Sequence, residues 1–221
     1  ASQDKPVSTV PNPDEVVPGT TDLLRQKPRE LVVETVDTQS SYSYSENSRT
    51  LAIQSTYWSA FACGKHPADF RLDVATQHGE KPAQFGAFWG LHPESSVDGL
   101  ARETCLAAIV QPDAAAPGNA TARLYRLIVG DDIRGRRAVV YTVELAAISL
   151  TVDWRKPVDM QLQVQNGKCT GVTVQGKSLD LTLKAPAVEW KDFSTGQCGL
   201  ISPESKQQVV FTRALLQSPQ R

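Results

Sequence analysis

The chain has no surplus of basic residues, no long apolar run, one methionine and three histidines, and each scarcity closes off a class of function. Among 221 residues, 23 Lys+Arg face 24 Asp+Glu, a net charge of −1. Nucleic-acid binding draws its affinity from counterion release by a basic surplus, so no nucleic-acid partner is expected. No apolar run approaches the roughly 18 residues that cross a bilayer as a helix, so no transmembrane segment is expected. The phosphate-cradling patterns GxxxxGK[ST] and GxGxxG, the nucleophile elbow GxSxG and the zinc helix HExxH are all missing. No cofactor and no metal are expected. Hydrophobic residues make up 40% of the chain, too many for wholly disordered protein.

What is present begins with a leader. Residues 1 to 28 hold five of the 14 prolines, Pro6, Pro11, Pro13, Pro18 and Pro28. Proline lacks the backbone donor and presets an extended chain, so this stretch reads as a flexible tether. Leu23 and Leu24 are the residues that could dock it to a core. The chain starts Ala1-Ser2-Gln3 with its lone methionine at Met160. That start suits removal of a signal peptide.

The rest, 29 to 221, reads as a β-rich globular region, with a division into two units near Pro157 as an alternative. Apolar residues recur with period two through Leu31–Val36, Thr50–Phe61, Phe70–Val74, Leu124–Val129, Ala138–Leu145 and Val209–Thr212. The cleanest alternation sets Met160, Leu162 and Val164 against Gln161, Gln163 and Gln165. Asn166-Gly167 follows with the chemistry of a tight hairpin turn, because both residues tolerate positive φ. Asp98–Val110 fits one short helix or a strand around Cys105. Between Ala138 and Trp154 the apolar parity changes at Ala146-Ala147, which implies a bulge or a corner between sheets. The fold class expected is all-β, an antiparallel β-sandwich or open barrel stapled by two disulfides.

The staples are Cys63, Cys105, Cys169 and Cys198, which permit three pairings. Cys63–Cys105 with Cys169–Cys198 is the favoured set, because each bridge then braces its own half of the chain. Disulfides persist in oxidising compartments, so a periplasmic or secreted location is expected.

Candidate chemistry is sparse. Cys63, His66, His78 and His92 could in principle make a zinc site, although Cys-x2-His spacing is unusual for one. Glu94, Asp98 and Glu103, together with Asp131-Asp132, supply carboxylates of the kind glycoside hydrolysis uses. The neighbouring aromatics Tyr57-Trp58 and Phe88-Trp89 point to opposite faces of an extended chain. One ring of each pair is then exposed for contact, unless both faces are covered. Trp58, Phe88 and Trp89 are therefore partner-binding candidates, with Trp89 preferred because Gly90 and Pro93 suggest a loop. Arg134, Arg136 and Arg137 form a second candidate surface, suited to carboxylates or phosphates. They also spell a processing-protease pattern. The function expected is an exported, non-enzymatic binding protein of the cell envelope or extracellular space that recognises a protein partner. The alternative is a secreted hydrolase whose active site assembles only in three dimensions.

Overall fold

The structure, a computed structural model, describes residues 19–33, 40–94, 101–116, 118–132, 134–182 and 188–219. In chain order the strands are β1 (Thr20–Asp22), β2 (Arg29–Val33), β3 (Ser41–Ser45), β4 (Thr50–Ser55), β5 (Ser59–His66) and β6 (Phe70–His78). There follow β7 (Phe85–Glu94), β8 (Arg102–Pro112), β9 (Asn119–Asp131), β10 (Arg137–Thr151) and β11 (Val158–Gln165). The set closes with β12 (Lys168–Val174), β13 (Lys177–Leu179), β14 (Gly196–Ser202) and β15 (Ser205–Gln217). A single 3-10 turn, Trp190–Phe193, is the helical element among the described residues.

Two antiparallel sheets stack face to face. Sheet I has the order β13-β12-β11-β6-β15-β4-β3, with β1 added along β15; sheet II has the order β10-β9-β8-β7-β14-β5-β2. Strands from both sides of Pro157 mix in each sheet, since β11 pairs β6 and β14 sits between β5 and β7. The chain before and after Pro157 therefore shares one sandwich. Part of the proline-rich leader belongs to it too. β1 pairs with the end of β15, Leu23 donates its N–H to the Ala214 carbonyl at 2.8 Å, and Leu23 and Leu24 are buried in the main core. Residues 1–18 lie outside the described residues.

Local sequence accounts for much of this. In β11, Met160, Leu162 and Val164 face the core while Asp159, Gln161, Gln163 and Gln165 face out. Asn166 (φ 49°) and Gly167 (φ 81°) make the two-residue turn to β12. Gly167 is obligatory there for a second reason: a Cβ would sit 2.0 Å from the Trp190 carbonyl oxygen. Asp98–Val110 resolves as strand from Arg102 onward. Leu106, Ala108 and Val110 enter one core cluster and Cys105, Ala107 and Ile109 another, so the run is apolar on both faces and has no helical period. In β10 the register slips between Glu144 and Ala146. The slip returns Ile148 and Leu150 to the same core that Leu145 enters, so the bulge preserves the buried face where a corner would have changed it.

The two cores divide the molecule. The main one lies between the sheets, with Phe70, Leu72, Met160 and Phe211 from sheet I meeting Phe61, Phe85, Trp89 and Leu106 from sheet II. The second lies on the far side of sheet II, among Leu31, Val32, Phe88, Ile109, Leu127 and Ile201. Sheet II is rolled around it, bringing β10 at one end of the sheet towards β2 at the other.

The four cysteines are free thiols, and the two expected staples do not match this topology. Cys63 on β5 and Cys105 on β8 are three strand positions apart, roughly 14 Å at about 4.8 Å per strand, and they enter different cores. A disulfide needs Cα atoms within about 7 Å. Cys169 belongs to sheet I and Cys198 to sheet II, and stacked sheets lie about 10 Å apart. Proximity in sequence misleads here because β14 returns from the chain end to the middle of sheet II.

Candidate functional site

The outward face of sheet I is where polar side chains converge. The central strands β11, β6 and β15 run in register, so their outward residues form rungs: Asp159, Ala75 and Arg213; then Gln161, Asp73 and Leu215; then Gln163, Arg71 and Gln217. Successive rungs are two residues apart along each strand, so the three span about 13 Å. None of these nine side chains is aromatic. The small Ala75 and the bulged residue Thr212, which bonds the Ala75 carbonyl, keep the floor low beside Arg213.

Charge on this face is organised in pairs. Asp73 is 7% exposed and accepts from Arg71 Nε and from Gln161 Nε2, both at 2.9 Å to Oδ1. Arg213 Nη2 donates to Asp159 Oδ1 at 2.8 Å, and Arg49 Nη1 donates to Asp22 Oδ2 at 3.3 Å. Two grooves open on the same surface. One of about 490 Å³ is lined by Asp22, Arg49, Ala75, Asp159, Thr212 and Arg213. The other, of about 270 Å³, is lined by Asp69, Arg71, Gln163, Gln165, Gln217 and Ser218. Carboxylates that accept, amides that do both, and guanidiniums that donate suit a ligand rich in hydroxyls. The outward glutamines of β11 were the signal for this face in the sequence, but most of its charges, Arg71, Asp73 and Arg213 among them, come from the distant segments β6 and β15.

The sequence candidates fall elsewhere. Phe88 and Trp89 are both fully buried, on opposite faces of sheet II, because both faces are covered. Neither ring is available to a partner, and Trp89 Nε1 donates to the Gly167 carbonyl at 3.0 Å. Trp58 is half-buried against the second core, edge-on to Tyr125 with ring centroids 6.4 Å apart. Among the described residues the exposed aromatic is Tyr141, 59% exposed on strand β10 at the end of sheet II.

The arginine loop is tied up internally. Asp132 accepts from the backbone N–H of Arg134 and Arg136 and from the Arg136 guanidinium at 2.7 and 3.0 Å. Those donors, the Arg136 side chain first, hold the Asp132 carboxyl down at about 2. Arg137 bonds Glu103, and Glu94 bonds Arg126. Of the carboxylates proposed for hydrolysis, Glu94, Glu103 and Asp132 are thus engaged by guanidiniums, while Asp98 lies outside the described residues.

The histidines do not assemble either. His66 Nε2 accepts from the Gly90 N–H at 2.8 Å, so its Nδ1 carries the proton and donates to the Pro67 carbonyl. Burial holds its pKa below the usual imidazole value. His78 Nδ1 accepts from the Ala83 N–H, its ring lies edge-on to Trp154, and burial lowers its pKa to about 4. His92 meets the Gly90 carbonyl. Among the described residues no group of three or more His, Cys, Asp or Glu side chains is placed to hold a metal ion, and no helix is long and apolar enough to cross a membrane.

Solved structures share this architecture. A protein of unknown function with galectin-like fold from Bacillus subtilis superposes with a TM-score of 0.54 at 11% identity, over 87% of this chain and 97% of that one. The fold is galectin-like. The carbohydrate-binding module CBM66 from Bacillus subtilis also matches this galectin-like sandwich, with a TM-score of 0.51 at 12% identity over 90% of this chain and 96% of that one. A xylan β-1,4-xylosidase from Bacillus halodurans aligns at a TM-score of 0.50 and 12% identity, over 94% of this chain and 40% of the xylosidase. At these identities the likeness is one of fold. No family model matches the sequence, and no curated protein does.

Proposed function

We propose that this protein is a non-enzymatic carbohydrate-binding module whose ligand lies on the outward face of sheet I. The observation that carries the reading is the ladder of Arg71, Asp73, Gln161, Gln163, Asp159 and Arg213 beside two grooves on one exposed sheet face. A galectin-like fold, shared with a carbohydrate-binding module, supports the same ligand class. Carbohydrate therefore replaces protein as the expected partner. Without an aromatic platform, recognition on this face runs through hydrogen bonds to hydroxyls, of which those to charged groups contribute about 1.5–3 kcal/mol each. Export belongs to the proposal as well, and fractionation of the native host tests it.

The test is an array of plant, fungal and bacterial oligosaccharides, followed by calorimetry on the glycans retained. Arg71→Ala and Arg213→Ala should each weaken binding about tenfold or more, while Arg134→Ala on the sheet II loop leaves it unchanged. Retention of no glycan, or binding indifferent to both sheet I variants, overturns the reading.

A further inference from the structure

We propose that Cys63 and Cys198 become joined as a cross-strand disulfide when the chain folds in the presence of glutathione disulfide. The register of β5 and β14 carries this. Cys198 pairs Gly64 and Gly199 pairs Ala62, so Cys63 is the extra residue of a β-bulge. Cys63 and Gly64 together then oppose Cys198. Both cysteines pack into the main core, so both side chains lie on the same face of sheet II. Directly opposed residues of an antiparallel pair have Cα atoms about 4.5–5.5 Å apart, inside the range disulfides span. No other combination meets these conditions. Cys105 enters the second core from β8, and Cys169 belongs to the opposite sheet.

The reaction balances with one oxidant. The Cys63 thiolate attacks glutathione disulfide, forming a mixed disulfide and releasing one glutathione. The Cys198 thiolate then attacks the Cys63 sulfur, closing the protein disulfide and releasing the second. Two protein thiols are oxidised, one glutathione disulfide is reduced, and the two thiol protons end on the two glutathiones. In the finished fold burial pushes the Cys63 thiol up and raises Cys198 to about 12, so the attacking thiolates are scarce once folding is complete. The bond is therefore made during folding.

The experiment refolds reduced protein from urea in a glutathione/glutathione disulfide buffer, alkylates it under denaturing conditions, and maps peptides without reduction. The expected product has one cross-link, Cys63–Cys198, with Cys105 and Cys169 alkylated. Four alkylated cysteines, or any cross-link that includes Cys105 or Cys169, overturns the proposal. The outcome is independent of whether a glycan binds sheet I.

Discussion

The two sheets share antiparallel geometry and nearly equal strand number, yet they treat their outer faces in opposite ways. Sheet I buries one face and leaves much of the other wet, so β11 alternates, with Met160, Leu162 and Val164 buried and its glutamines outward. Sheet II rolls around a second core, so both faces of β7 and β8 are apolar. A wet face is free to vary and to bind. The doubly covered centre of sheet II is structural, whatever its aromatic content suggests.

The sharpest way to break this contrast is Phe88→Ala. Phe88 faces away from the main core, and on a solvated face its loss would scarcely register. Buried as it is among Ile109, Leu127 and Ile201, the substitution should destabilise the protein by about 3–5 kcal/mol in urea denaturation. A change below about 1 kcal/mol would show that the second core is not a core.

Acid should find the second weakness, on the main-core side. In the unfolded chain the His78 imidazole takes up its proton near pH 6.5; in the fold it resists until about pH 4. Between those values the unfolded state binds more protons, so stability falls as pH falls through the window and is unaffected by this group above it. The full window corresponds to about 3 kcal/mol, and His66 acts in the same direction. His78→Gln should therefore flatten the dependence of the urea midpoint on pH between 6.5 and 4. An unchanged slope would place His78 in contact with water.

Legibility in the sequence followed the same division. The β11–β12 hairpin could be read residue by residue, because one solvated face leaves a period of two and Asn166-Gly167 marks the turn. The run from Cys105 to Val110 could not, since burial on both faces erases the period that separates strand from helix. Gly90 after Trp89 has the look of a loop start, but that glycine serves close packing: with φ +67°, it has room for no Cβ beside Phe193, which would lie 2.7 Å away. The adjacency of Cys63 and Cys198 was hidden by topology, since β14 intervenes between strands much earlier in the chain. The ladder on sheet I was half visible. Its glutamines stand in a single strand, whereas Arg71, Asp73 and Arg213 meet them through pairings that only the folded sheet creates.

The smallest stability effect makes the sharpest comparison. Gln163 is exposed, faces out from β11 opposite Arg71, and lines the smaller groove. Substitution at such a surface position usually changes stability by no more than about 0.5 kcal/mol. Gln163→Ala should thus leave the urea midpoint in place, unlike Phe88→Ala, yet weaken any glycan that wild-type protein retains, because a donor and an acceptor leave the groove together. A matched loss of stability and binding would mean that Gln163 supports the fold, and the outer face of sheet I would then lose its claim to be a surface kept for a ligand.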